Sequence, residues 1–311
     1  MPNDGTLAAP EVREGTPGRS LVLAACVIAT FMAAVESTIV ATTIPTIVGE
    51  LGGFDLFSWV FTIFLLTQAV SIPVYGRLAD IFGRKPIFFV GVGLFLTGST
   101  LCGLAWNMPS LVLFRAIEGF GAGAIQPIAA TILGDIYTPT ERAKIQGLIS
   151  SVFGVAAVVG PSMGAFLIQH ISWRTVFWVN LPIGAAAVAM IALFLKERVQ
   201  HRQHQIDWIG SLLLLIAFGG SMLALVQGGS LDRPTFWTVA IVGGIATIAL
   251  LIHESRIREP MLPLELWRMR VIVTGSLGSF GTGATMMGVS AFLPAYVQGA
   301  MGYSAIAGGL V

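Results

Sequence analysis

Glu36, Arg115 and Glu118 stand inside long apolar runs, the first in "ATFMAAVESTIVATTIP" and the other two in "LVLFRAIEGFGAGAIQP". Placing a charge at the centre of a membrane-length helix costs about 2.5–3.5 kcal/mol on insertion scales, so such residues face a bundle interior or a watery cavity and are functional candidates by default. Arg115 and Glu118 are three residues apart, and therefore neighbours on one helical face. Ala122 and Gln126 continue that face as a polar stripe. Two readings stay open: an ion pair that satisfies itself, or a cavity lining in which Arg115 tunes the proton affinity of a carboxylate. Burial disfavours a charged carboxylate and a nearby guanidinium favours it, so alternating between the two environments loads and releases a proton. Glu36 has no basic neighbour within a turn, which points to cavity or proton work. Ser37, Thr38, Thr42 and Thr43 beside it are read as hydroxyls bonded back to their own helix.

A second charged group, "GRLADIFGRKP" (76–86), joins two apolar runs and carries Arg77, Asp80, Arg84 and Lys85. Arg77 suits a helix C-terminus, and Gly76 and Gly83 permit a sharp turn. Asp80, four residues before Arg84, is placed to pair with it. "EGFGAGAIQP" contains a Gly-x-Gly pattern but lacks the preceding strand that dinucleotide binding needs. Gly119 and Gly123 read instead as a small-residue face for close helix packing, repeated by Ala156, Gly160 and Gly164, with Pro161 adding a kink. No HExxH, nucleophile elbow or Walker loop occurs, so neither an enzyme nor an ATP-driven pump is expected. His201 and His204 lie in a basic stretch without a carboxylate or thiol partner and read as solvated. No metal and no cofactor is expected, and Cys26 and Cys102 read as free, buried thiols.

The elements that must position these residues are helices across a bilayer. Of the 311 residues, 55% are hydrophobic and only 11% charged, against about 25% charged in soluble chains. Apolar runs long enough to span a hydrocarbon core of about 30 Å are expected near 21–46, 57–76, 86–106, 110–133, 146–170, 174–195, 208–227, 235–254 and 271–298. A tenth opens at Ala305, so the sequence reads as a fold truncated in its tenth span. The first twenty residues hold no cleavable signal. With a cytoplasmic N-terminus, fourteen Lys/Arg fall in the tail and inner loops and only Arg174 and Arg233 outside, the bias the positive-inside rule demands. Trp59, Trp106, Trp173 and Trp237 are expected at the outer interface, Trp208 and Trp267 at the inner one. The clearest linker is "KERVQHRQHQID" (196–207).

The motifs together resemble the major facilitator superfamily. "GRLADIFGRKP" resembles its motif A, "LVLFRAIEGFGAGAIQP" its motif B and "AAVVGPSMGA" (156–165) its motif C. "ESTIVATTIPTI", "WRTVFWVNLPIG", "IDWIGSLLLL" and "EPMLPLELW" resemble markers of the fourteen-span drug:proton antiporter family. The match covers residues 21–311. The family usually has Asp where Glu36 stands, Gln where Glu118 stands, and Gly in place of Ala156 and Ala165. The resemblance implies an all-α polytopic membrane protein of the major facilitator fold with two extra central helices. The expected segments are a cytoplasmic tail (1–20), a six-helix bundle (21–195), the linker (196–207), two additional helices (208–254), a cytoplasmic loop (255–270) and the start of a second bundle (271–311). It implies export of drugs or other amphipathic or cationic molecules in exchange for protons, across the cell membrane. Glu36, Arg115, Glu118 and Gln126 would serve proton coupling. Gly76, Arg77, Asp80, Gly83, Arg84 and Lys85 would latch one half of the transporter to the other, and Gly160, Pro161 and Gly164 would pack the antiporter helix. Implied partners are a small-molecule substrate, protons, the lipid bilayer and an accessory protein across a second membrane, with no nucleic acid. The alternatives are an exporter of a narrow natural substrate (a siderophore, a basic amino acid or an endogenous antibiotic) and a non-transporting sensor or scaffold.

Overall fold

A computed structural model describes residues 17–197, 207–229, 231–257, 264–299 and 301. His201, His204, most of the linker and the tenth span expected from Ala305 lie outside the described residues. The chain divides into two units, Met1–Leu250 and Leu251–Val311.

In the first unit, α1 (Pro17–Leu51), α2 (Phe57–Phe82), α3 (Arg84–Gly103), α4 (Met108–Ile136) and α5 (Pro139–His170) follow one another through short turns. The expected sixth span is divided at Val179 into α6 (Arg174–Trp178) and α7 (Asn180–Phe194). Beyond the linker come α8 (Trp208–Gln227) and α9 (Arg233–Glu254). The second unit holds a 3₁₀ turn (Leu264–Arg268) and α10 (Arg270–Gly299). Among the described residues, seven helices are long and apolar enough to cross a membrane; the run within α8 is shorter. Leu113, Val158, Phe166, Leu193 and Ile245 are exposed, as side chains facing lipid should be.

Helix α4 is the hub, packing against α1, α2 and α3, while α1 also packs on α5 and α7, and α8 lies on α2. Small residues allow this. A side chain at Gly98 would overlap the Glu118 backbone, and one at Gly119 or Gly123 would overlap α2 at Phe64–Thr67 or Gln68–Ser71. Gly160 and Gly164 sit against Thr38, Ile39 and Thr42 of α1, and Thr38 Oγ1 donates to Ala156 O at 3.1 Å. α5 runs through Pro161 as one helix.

Two expectations are corrected. α2 extends past residue 76 to Phe82, so Gly76 lies within a helix and the turn into α3 falls on Gly83 alone, at φ 96°, where glycine is the residue without a Cβ penalty. Trp173 is a core residue, 1% exposed, rather than an interfacial one. Its indole donates to Glu50 Oε2 at 2.7 Å, and Arg174 Nη1 pairs with Glu50 Oε1 at 2.5 Å.

The bundle holds two apolar cores. One gathers Ala29 and Met32, Phe88 and Phe95, Ala122 to Leu133, and Ala187. The other gathers Val35 to Ile47, Val60, Cys102, Met108 and Leu111, and Val176 and Phe177. Near where α1, α3, α4 and the α6–α7 segment pass from one core to the other, each carries buried polar residues: Glu36, Ser99, Arg115 with Glu118, and Asn180.

Candidate functional site

Those five residues meet. Arg115 Nη1 pairs with Glu36 Oε1 at 2.5 Å and with Glu118 Oε2 at 2.8 Å. Its Nε donates to the carbonyl of Val60 at 3.3 Å, and its guanidinium lies 4.0 Å from the centre of the Phe64 ring. α2 thus supplies a carbonyl and an aromatic face to a cation that α4 carries, an arrangement that suits a planar, weakly hydrated guanidinium better than an ammonium. Asn180 Nδ2 donates to Glu36 Oε2 at 2.7 Å and to Ser99 Oγ at 3.0 Å, and Ser99 Oγ donates to Phe177 O at 2.8 Å. Cys102 Sγ lies 3.5 Å from Glu118 Oε2. Glu36, Ser99 and Glu118 are fully buried, and Arg115 and Asn180 are 1% exposed.

The sequence placed Arg115 and Glu118 together by their spacing, and the fold adds Glu36 from the first helix. Gln126 is half-buried and stands apart from the cluster, two turns beyond Glu118 or about 12 Å by helix rise. Asn180 and Ser99 were missed. A neutral polar residue in an apolar run carries little signal on its own; only the shared level between the two cores marks these two.

The electrostatics follow from the inventory. Two carboxylates and one guanidinium sum to −1 when all are ionised, and to zero when one carboxylate holds a proton. Isolated charge in a dry interior is expensive, and paired charge is tolerated when its remaining hydrogen-bonding positions are filled. The cluster can therefore exchange a single proton between a neutral and an anionic form.

At one end of the bundle, Gly83 turns the chain into α3 and a second group assembles. Glu197 accepts hydrogen bonds from the backbone N–H of Arg84 (2.6 Å) and Lys85 (2.8 Å), capping α3. Lys85 Nζ donates to the carbonyls of Ala192 and Leu195 at 2.8 Å each, closing α7. Arg84 Nε lies 3.1 Å from Asp135 Oδ2 at the end of α4. Arg84 therefore pairs with Asp135 and not with Asp80, which is exposed; the loop is short enough that the Arg84 side chain leads toward α4 instead of back along α2. Glu197 and Asp135 were not expected, the first because it sits in a linker that reads as a solvated basic stretch. At the same end Arg19 of α1 reaches Glu141 Oε2 at 2.5 Å and stacks 3.9 Å from the centre of the Tyr137 ring. Glu141 also accepts from Thr138 N and Oγ1, starting α5 with a capping box.

A family profile described as Major Facilitator Superfamily matches residues 26–311. "Multidrug resistance protein 3" of Bacillus subtilis (strain 168) is 38% identical over 283 residues, which is 90% of this chain and 55% of that protein. "Multidrug transporter protein MdtP" of the same organism is 36% identical over 296 residues, 94% of this chain and 55% of that protein. The chain thus spans about half the length of the curated relatives it matches. Among solved structures, that of the human organic anion transporter MFSD10 (TETRAN) superposes with a TM-score of 0.55 at 16% identity, covering 67% of this chain and 55% of the other; at that identity the likeness is one of fold alone.

Proposed function

The chain belongs to the Major Facilitator Superfamily, whose members are transporters and not enzymes, and from that premise we propose that it works in a proton-driven exporter of drugs or other amphipathic or cationic small molecules. The observation that carries this reading is the buried cluster of Glu36, Arg115 and Glu118, which one proton converts from anionic to neutral. The B. subtilis relatives, named as a multidrug resistance protein and a multidrug transporter, support the substrate class. In this reading protons run inward through the cluster while substrate leaves. If one net charge moves per cycle, about 100 mV supplies roughly 2.3 kcal/mol, enough to hold a gradient of about fiftyfold at 1.36 kcal/mol per factor of ten.

The finer assignments go with it. The protein is of the fourteen-span drug:proton antiporter type, with α8 and α9 as the two additional helices between a first bundle (21–195) and a second that begins near residue 271. The N-terminus is cytoplasmic, on the excess of Lys/Arg in the tail and the even-numbered connections. That places Arg84, Lys85, Asp135 and Glu197 at the cytoplasmic face, where the motif A group, Arg77 and Asp80 included, latches the two halves of the transporter in one state. An accessory partner across a second membrane is compatible with export of this kind.

The test is ethidium efflux from pump-deficient cells making the intact protein, with and without an uncoupler. Efflux that stops with the uncoupler is the expected result. Efflux indifferent to it removes the proton from the mechanism, and no efflux from well-expressed protein removes the broad drug substrate.

A further inference from the structure

We infer that Glu118, on α4, is the carboxylate that carries the proton in this cluster, and that Glu36 is the standing anionic partner of Arg115. Its place in transport rests on the exporter reading above, whereas its chemistry rests on the hydrogen bonds alone.

Most of the donors near the two carboxylates can be followed to an acceptor. Asn180 has two N–H bonds on Nδ2, and both are engaged, one with Glu36 Oε2 and one with Ser99 Oγ. The single proton of the Ser99 hydroxyl goes to the carbonyl of Phe177. Ser99 stands beside the Glu118 carboxylate, and while its proton is given to Phe177 O and its oxygen accepts from Asn180, it presents its remaining lone pair there. Arg115 Nη1 and the Cys102 thiol both reach Oε2 of Glu118. Oε1 of Glu118 is buried and meets no hydrogen-bond partner among the described residues.

An ionised Glu118 would hold a bare acceptor oxygen in a dry interior beside a group that can only accept, a costly arrangement. A proton on Oε1 reverses this: the new O–H has the Ser99 lone pair as its acceptor, and the cluster becomes neutral as Arg115⁺ with Glu36⁻. Glu36 is in the opposite position, since each of its oxygens already accepts from a donor, Arg115 at 2.5 Å and Asn180 at 2.7 Å. The charged or titratable groups facing Glu118 are Arg115 on its own helix, Glu36 on α1 and Cys102 on α3, whereas α2 and the α6–α7 segment bring Phe64, Phe177 and Asn180 to the cluster. The exchange is a proton transfer only. H⁺ arrives from water on one side, binds Oε1, and passes to water on the other side when an opening of the bundle lets water replace Ser99 as acceptor.

Infrared difference spectroscopy of the intact protein in lipid nanodiscs reads a protonated buried carboxyl as a C=O stretching band that shifts in D₂O. The band should be present in the wild type and lost in either single Gln variant, because the remaining carboxylate then becomes the sole counter-ion of Arg115. Ser99→Ala removes the acceptor and should move the band to higher frequency. Glu118→Gln should also keep the wild-type melting midpoint, because its amide reproduces the protonated acid, with N–H toward Ser99 and C=O toward Arg115. Glu36→Gln instead points an N–H at Arg115 or Asn180, both donors, and should lower the midpoint. A wild type without the band, a band that survives in Glu118→Gln, a band indifferent to Ser99→Ala, or a melting midpoint lower in Glu118→Gln than in Glu36→Gln overturns the assignment. None of these readouts needs transport, so uncoupler-insensitive efflux would remove the exporter reading and leave the proton assignment to the band.

Discussion

Between the two apolar cores, Glu36, Arg115 and Glu118 neutralise one another chiefly side chain to side chain; at the α2–α3 turn, Lys85 and Glu197 direct their hydrogen bonds to helix ends. The first group is sealed from water, and the second is partly wet, with the side chains of Arg84 and Asp135 31% and 45% exposed. In the dry group each charge exists because of another charge, so removing one leaves its partner uncompensated. In the wet group water stands in for whatever is lost. Ion pairs at 2.5 and 2.8 Å in the first group and 3.1 Å in the second therefore carry energies that differ far more than their lengths, and substitutions can measure the difference.

The largest effect belongs to Arg115→Met. It leaves Glu36 and Glu118 facing each other without a cation, and breaking a buried pair from one side costs about 3–5 kcal/mol. Thermal unfolding of the intact protein in detergent should show a lower midpoint than any other single substitution discussed here. An unchanged midpoint would mean that water reaches the cluster and that the dry–wet contrast is false.

Asn180→Leu comes next. It strips the donor from Glu36 Oε2 and from Ser99 Oγ while preserving volume approximately, and an orphaned buried acceptor costs about 1–3 kcal/mol. A loss of stability in this range, seen in the same unfolding experiment, would make Asn180 part of the charge cluster instead of a packing residue. A neutral result would confine the cluster to its three ionisable members.

These two residues also mark what a linear reading can and cannot reach. Arg115 and Glu118 declare themselves because charges are rare in apolar runs and their spacing puts them on one face. Glu36 declares itself as an acid without a local partner, and its partner proves to come from a helix 79 residues away. Asn180 sits next to a helix interruption at Val179 and Ser99 inside a Gly/Thr-rich turn of α3; amides and hydroxyls are ordinary in such places, and only the packing of α3, α4 and α7 at one level gives them a role. The same limit applies at the turn. Gly76 and Gly83 look equivalent in "GRLADIFGRKP", but only a backbone with positive φ tells them apart, and Glu197 acquires its function when α7 returns to the start of α3.

In the wet group the strongest single contribution should come from Glu197. Its carboxylate caps the first turn of α3 through two backbone N–H groups, where the helix dipole also favours an anion. Glu197→Ala should cost about 0.5–2 kcal/mol, the range for a lost N-cap. Hydrogen exchange at the amides of Arg84 and Lys85 should accelerate while exchange around Ser99 stays as it was. Acceleration that spreads to Ser99 would couple the two charged regions and blur the contrast.

Asp135→Asn should be the mildest of the four, because the Arg84–Asp135 pair is exposed on both sides and such pairs contribute about 0.2–1 kcal/mol. Its value lies in the salt dependence. Exposed charges are screened over a Debye length of about 8 Å at physiological ionic strength and about 3 Å at 1 M, so the midpoint difference between Asp135→Asn and the wild type should shrink toward zero as salt is raised. The deficit of Arg115→Met should not move under the same change, since ions do not enter the space between the two cores. If both deficits fade together, Arg115 is reached by solvent and the two regions differ in degree only. If neither fades, Asp135 acts through the α4 terminus rather than through its charge, and the wet region is held by geometry as firmly as the dry one is held by charge.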